Sequence, residues 1–308
     1  MNDPAGRFTL RQLSCFVAAC EGGGIGAAAG HLHLAQATVS AAIADLERTL
    51  GVQLLVRGRR RAATPSPAGR ELLAQASDVL AAAARLDERS ASLRGEVSGE
   101  LPVGCLVTLA PAVAPAVCRA FERHWPRAAV TLVPAHQAEL LARLRDGTIA
   151  VAITYDLGLD AAVEFAPLAP APPYALLPAD HRLASEHSAK LADLAGDPFL
   201  LLDLPLSRNY FLGLYRAAGI EPAVARRVAD PELLRSLVAW GYGYTLANAR
   251  PEPGRAVDGT PIRALPLRGG PAPPRVGLAR RTGLEPTRTA TAFAGTCTAV
   301  LAARWGPE

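Results

Sequence analysis

Between Gly26 and Leu50 the chain reads GAAAGHLHLAQATVSAAIADLERTL, and the residues there that could do chemistry are small and polar rather than titratable. Gln36, Ala37, Thr38, Ser40 and Ala41, with Ala42 beside them, share a helix with Val39, Ile43, Leu46 and Leu50, whose spacing marks the buried face. A narrow polar face of this kind lets a helix backbone approach the base edges of a major groove, where an amide and hydroxyls find hydrogen-bond partners. A second cluster follows: Arg57-Gly58-Arg59-Arg60-Arg61 puts four guanidiniums in five residues. Beside such a helix, Arg57, Arg59, Arg60 and Arg61 fit phosphate tracking or insertion into a minor groove. A solvated charge run is the bland alternative.

Other chemistries find less support. His31 and His33 flank the break in the helix pair, and His124, His136, His181 and His187 show no metal-ligand or nucleophile-elbow spacing. Glu100, Glu139 and Glu164 form no recognisable acid–base pair. No enzyme activity, metal or cofactor is therefore expected. Cys15, Cys20, Cys105, Cys118 and Cys297 are odd in number and lack a CxxC pair, so they read as small buried residues rather than a disulfide framework.

Length and charge agree with a polyanionic partner. The 308 residues, half of them hydrophobic, suffice for two domains, and no apolar run approaches a membrane span. Met1–Leu10 has no apolar core, so no secretory leader is expected and the cytoplasm is the expected location. The net charge is +4; residues 1–70 hold eight arginines against four acids, and the remainder balances to zero. The positive excess surrounds the helix pair, where release of phosphate counterions would use it.

These residues need particular elements to position them. Thr9 can cap a helix to about Glu21 with a buried stripe of Leu10, Leu13, Phe16, Val17 and Cys20, ended by Gly22–Gly24. A tight break at His33–Ala35 then separates a short helix from the longer one, which stops at Gly51. This is a helix-turn-helix on a third, supporting helix. Leu54-Leu55-Val56 and Ala62–Ala63 read as two strands around the basic tip, a wing. From Pro67 to Leu93, Leu72, Val79, Leu86 and Leu93 recur every seven residues with Ala76 and Ala83 between them, a coiled-coil seam suited to a dimer.

Taken together, LRQLSCFVAACEGGGIGAAAGHLHLAQATVSAAIADLERTLGVQLLVR followed by PSPAGRELL resembles the LysR-type transcriptional regulators. The order TVS, IADLE, LGVQLLVR and PAG before a linker helix is specific. Ala35 stands where the family usually has Ser, Ala41 where it often has a basic residue, and Ser66 where it commonly has Thr.

The resemblance implies a winged helix-turn-helix over residues 1–67, a dimerising linker helix over 68–94, and an effector-binding module over 95–308 similar to type II periplasmic solute-binding proteins. Its two α/β lobes would comprise about 99–166 with 267–308, and about 167–266. The residues agree: 101–105, 129–133 and 150–154 read as strands alternating with helices at 111–125 and 139–145, which makes a parallel sheet covered by helices. GTIAVAIT at 147–154 occupies a family pattern whose acidic positions are here Thr148 and Ala150. Strands at 174–177, 199–202 and 224–228, helices at 208–218 and 231–240, the APLAPAPP crossover and a closing helix at 287–303 complete the module.

By family position, the effector would meet Thr108, Tyr155, Ser207, Arg208, Asn209, Tyr210, Tyr244 and Thr245, where strand ends face helix N-termini across the cleft. Thr108 and Ser207 equally fit simple helix caps, and Tyr210, Tyr244 and Trp240 fit packing roles. Arg208 could clamp a carboxylate bidentately or instead pair with Asp203. The expected partners are double-stranded DNA, a small anionic or aromatic effector, further copies of the chain as a homodimer or homotetramer, and RNA polymerase; no membrane is expected. The second reading is a solute-binding or small-molecule-transforming α/β protein whose N-terminal helices only add oligomerisation. It predicts no sequence preference on DNA, whereas a regulator binds a palindrome with a steep salt dependence.

Overall fold

The computed structural model describes residues 8–57, 63–93, 95–248 and 254–305. They form two compact units, Met1–Glu96 with Asp146–Thr148, and Val97–Arg145 with Ile149–Glu308. Arg59, Arg60 and Arg61 lie outside the described residues, and of Arg57 the backbone alone is described. No single described helix is long and apolar enough to cross a membrane.

The first unit is built on α1 (Leu10–Glu21), α2 (Ile25–His31) and α3 (Gln36–Leu50). Thr9 starts α1 with a capping box: its hydroxyl accepts from the Gln12 backbone N–H, and the Gln12 side chain accepts from the Thr9 N–H. The buried face of α1 is Leu13, Cys15, Phe16 and Ala19. Leu10, expected in that stripe, is exposed, because it sits at the first helical position ahead of the core. Val39, Ile43 and Leu46 of α3 are buried as their spacing predicts, whereas Leu50 in the last turn is partly exposed. His33 turns the chain between α2 and α3 with a φ of 52°, a left-handed conformation that His adopts more readily than branched residues.

Strands β1 (Leu55–Arg57) and β2 (Ala63–Pro65) pair antiparallel as the wing and lead into α4 (Pro67–Leu93). The near half of α4 packs on the three-helix core through Leu72, Leu73, Ala76 and Leu80. Farther along, Val79 and Leu86 of the expected seam are 42% and 71% exposed; the Leu93 side chain is outside the described set.

The second unit has two lobes. The first lobe holds β3 (Gly99–Leu106), α5 (Ala110–His124), β4 (Ala128–Ala135), α6 (Gln137–Asp146), β5 (Val151–Tyr155) and β6 (Val163–Pro170). The chain returns to it for β12 (Arg275–Arg281) and α9 (Arg288–Trp305). The sheet order is β4-β3-β5-β12-β6, and it is mixed rather than purely parallel: β12, arriving from the other lobe, runs antiparallel to both neighbours. The crossover expected from Pro167 begins later, since β6 keeps residues through Pro170 in this sheet.

The second lobe holds β7 (Tyr174–Pro178), a 3₁₀ turn at Leu191–Leu194, β8 (Phe199–Leu202), α7 (Pro205–Ala217) and β9 (Val224–Val228). It continues with α8 (Pro231–Ala239), β10 (Thr245–Ala247) and β11 (Ile262–Pro266). A three-stranded sheet, β10-β7-β11, meets the parallel pair β8-β9 through a bridge between Phe199 and Tyr244. Strands β10, β11 and β12 went unread in the sequence.

Candidate functional site

On the first unit, Gln36, Ala37, Thr38 and Ala41 of α3 are exposed, Ser40 is half-buried, and the anchors behind them are fully buried. Ala37, Thr38 and Ala41 line one wall of an open depression; Thr9, Arg11 and Gln12 line the other. That places a cation and a helix start beside the polar face of α3. Ala35 is the N-cap and supplies no side-chain hydrogen bond; its carbonyl accepts from the Thr38 N–H at 2.9 Å, and no side chain caps the first turn of α3.

Two buried polar contacts hold the wing against this helix. Glu47 Oε1, from IADLE, accepts from the backbone N–H groups of Leu54 (2.7 Å) and Leu55 (3.0 Å), fixing the chain as it enters β1. Ser66 Oγ donates to the Gln53 carbonyl at 2.5 Å and accepts from the Gly69 N–H at 2.9 Å, so it closes the wing and caps α4 at once. Gly69 is required there: a Cβ on it would lie 2.1 Å from the Leu54 carbonyl oxygen. The motif residues Glu47, Ser66 and Gly69 thus set the wing's position relative to α3.

In the second unit, the expected effector contacts separate into two groups. Tyr155 ends β5 in the first lobe and is buried within electrostatic reach of Tyr174, which opens β7, and Tyr210 of α7. Burial pushes the Tyr155 hydroxyl well above the ordinary phenol range, and Tyr174, Tyr210 and Cys105 push it further the same way. The Tyr210 hydroxyl is buried without a hydrogen bond of good geometry. Burial raises its pKa most; Asn248 opposes that shift and Asp156 adds to it. The Tyr155 and Tyr210 phenols are neutral hydrogen-bonding groups at any physiological pH. The first turn of α7 also reaches the first lobe, where Leu206 packs against its core.

Thr108 is half-buried in the turn after β3 and does not cap α5, whose N-cap is Leu109. Ser207 is likewise no cap: α7 begins at Pro205 with Leu204 as its N-cap. Asn209 is exposed. Arg208 pairs with Asp203 at 2.8 Å, and Arg227 lies 3.7 Å from the same carboxylate oxygen. Tyr244 and Thr245 belong to the second lobe's interior: the Tyr244 hydroxyl bonds that of Tyr215, and Thr245 Oγ1 donates to the Leu200 carbonyl at 2.7 Å. Trp240, expected to pack, is 70% exposed, with its indole N–H donating to Asp258 at 2.7 Å.

Tyr174, Asp156 and Asn248 were not foreseen. Asn248 donates to the Ala171 carbonyl at 2.7 Å, tying the end of β10 to the crossover, and Asp156 accepts from the Arg275 N–H at 2.8 Å. The sole signal for Tyr174 was its place directly after Pro172-Pro173. Among the described residues no cluster of His, Cys, Asp and Glu could hold a metal.

The comparisons with known proteins agree with this geometry. The pattern of the bacterial regulatory helix-turn-helix protein, lysR family, matches residues 10–70. That of the LysR substrate binding domain matches residues 94–302. The chain is 32% identical over 241 residues to the hydrogen peroxide-inducible genes activator of Pectobacterium carotovorum subsp. carotovorum, covering 78% of this chain and 80% of that one. The structure of HinK, a LysR family transcriptional regulator from Pseudomonas aeruginosa, superposes with a TM-score of 0.64 at 30% identity, over 96% of this chain and 99% of that one. Full-length CbnR in complex with its target DNA gives a TM-score of 0.71 at 27% identity, over 95% of this chain and 100% of that one. With a helix-turn-helix whose polar face is exposed and a substrate-binding-type module following it in the chain, the protein belongs to the LysR family and is a DNA-binding transcriptional regulator with an effector-binding domain.

Proposed function

We propose that this regulator takes a small, uncharged or weakly acidic aromatic effector where Tyr155, Tyr174 and Tyr210 meet between the lobes. The carrying observation is the buried hydroxyl of Tyr210, which has Asn248 beside it but no hydrogen bond of good geometry: a ligand that pairs with it well recovers part of the cost of leaving it poorly satisfied, about 1–3 kcal/mol in full. Arg208 is held by Asp203, so a carboxylate clamp at that position would first have to break an ion pair. A ligand touching groups from both lobes stabilises their closed arrangement over the open one, which is how it would shift the population of DNA-binding states. A thermal-shift screen of neutral phenols and aromatic acids tests the assignment. Compounds that stabilise the wild type are expected to lose most of that effect in Tyr210→Phe; undiminished shifts would contradict the placement.

On DNA, the proposed readers are Gln36, Ala37, Thr38, Ser40 and Ala41, with Arg57, Arg59, Arg60 and Arg61 on phosphates or in the minor groove. Val79 near the middle of α4 and Leu86 in its distal half, both exposed, support a dimer through the linker helix. Exposed Trp240 and Tyr242 on the second lobe support a further contact between copies, making a tetramer. RNA polymerase is the remaining proposed partner.

The peroxide response in the name of one relative is not part of this proposal. Burial raises all five thiols: Cys20 to about 11, Cys105 to about 12, and Cys15, Cys118 and Cys297 upward. A thiol held protonated is a poor nucleophile. Titration of the native protein with a disulfide reagent should be slow at neutral pH; rapid reaction of one thiol would reopen the redox reading.

A further inference from the structure

A cavity of about 520 Å³ lies away from the tyrosine cleft, against the two segments that connect the lobes. Its floor is apolar, from Leu191, Leu214, Ile220 and Leu267. One wall is Pro172-Pro173 of the outgoing crossover; another is the returning crossover, Arg268 to Pro273. Lys190 and Arg268 stand at the cavity as well. Both are exposed, and neither has an ion pair among the described residues. Lys190 is the chain's single lysine. Asp193 is the nearby acid, and its carboxylate accepts from the Lys190 backbone N–H at 2.8 Å.

We infer that this cavity is a second small-molecule site, for an amphipathic monoanion whose flat apolar body lies on the leucine and isoleucine floor and whose acid group meets Lys190 and Arg268. The volume suits a ligand of drug-like size, and such sites combine an apolar lining with a few polar anchors. Four prolines in the walls restrict backbone φ, so little ordering is required when a ligand enters. The two cations select the charge of the ligand, and the apolar floor selects against inorganic anions. Because both crossovers form its walls, an occupant would contact each connection between the lobes and bias their hinge independently of the cleft.

The test uses the full chain with two fluorescent probes, 8-anilinonaphthalene-1-sulfonate, a flat monoanion, and N-phenyl-1-naphthylamine, its neutral counterpart. The double variant Lys190→Glu/Arg268→Glu changes only exposed side chains and is expected to weaken the sulfonate probe at least about tenfold, with the neutral probe within about twofold. Ala218→Trp, which fills the cavity from its exposed wall, should weaken both. Tyr210→Phe should change neither, which separates failure of this site from failure of the cleft assignment. Equal affinity of the sulfonate probe for wild type and both cavity variants would overturn the inference. So would a change in oligomeric state on Ala218→Trp in sedimentation, which would assign the cavity to a contact between copies of the chain.

Discussion

The two units solve the problem of placing a functional surface in opposite ways. In the DNA-binding unit the polar groups around the site are spent: Glu47 on two wing amides, Ser66 on Gln53 and Gly69, Thr9 and Gln12 on each other. The proposed reading face is left to Gln36, Ala37, Thr38 and Ala41, which are exposed. In the sensing unit the proposed effector site draws Tyr155, Tyr174, Tyr210 and Asn248 from elements far apart in the chain, and the Tyr210 hydroxyl has Asn248 beside it but no hydrogen bond of good geometry. The proposed roles fit this contrast, since a reader must present one shape to DNA and a receptor must gain free energy from a ligand.

Substitutions can test this contrast. The largest effect is expected from Gly69→Ala, whose methyl would meet the Leu54 carbonyl at 2.1 Å: about 2–3 kcal/mol lost from the first unit, read as an early transition in thermal unfolding. Glu47→Ala should cost about 2 kcal/mol by orphaning two buried amides, with the second unit's transition unmoved; a shift in both would deny that the locks are local. In the sensing unit, Tyr215→Phe or Tyr244→Phe alone should each cost about 1 kcal/mol, because each strands the other hydroxyl. The double variant should cost less than the sum, and strict additivity would show that the two hydroxyls are not paired. The smallest effect is a gain. Ala35→Ser supplies the missing cap of α3 and should stabilise the first unit by about 1 kcal/mol in denaturant unfolding.

The same contrast explains what the sequence could show. Helix periodicity and capping are local, so α1, α3 and α4 were readable to within a residue or so, and the linker Pro67–Leu93 was read to its ends. The roles of Glu47 and Gly69 were not, because a motif match says that a residue belongs without saying what it touches. Strands β10, β11 and β12 are short or find their partners across long loops, and pairing over such distances leaves little periodic trace. Strand β6 was mistaken for crossover because Pro167 and Pro170 suggested irregular chain; β6 is an edge strand, where proline is tolerated. Within the effector set, Arg208 and Tyr244 each carried two readings, ligand contact or internal partner, and the structure places them with Asp203 and Tyr215. Partners contributed by other elements decide which polar groups remain open, and no window of sequence contains them.

The proposed division of labour has the exposed face of α3 reading bases while the arginines hold phosphates. Selection of duplexes from a random pool, carried out at two salt concentrations with the wild type and with Thr38→Ala, tests it most directly. The expected result is an enriched site with two related half-sites about one helical turn or more apart, a steep loss of retention at higher salt, and an altered base preference within each half-site for Thr38→Ala. An identical enriched sequence for both proteins, or salt-sensitive retention with no enrichment at all, would contradict it.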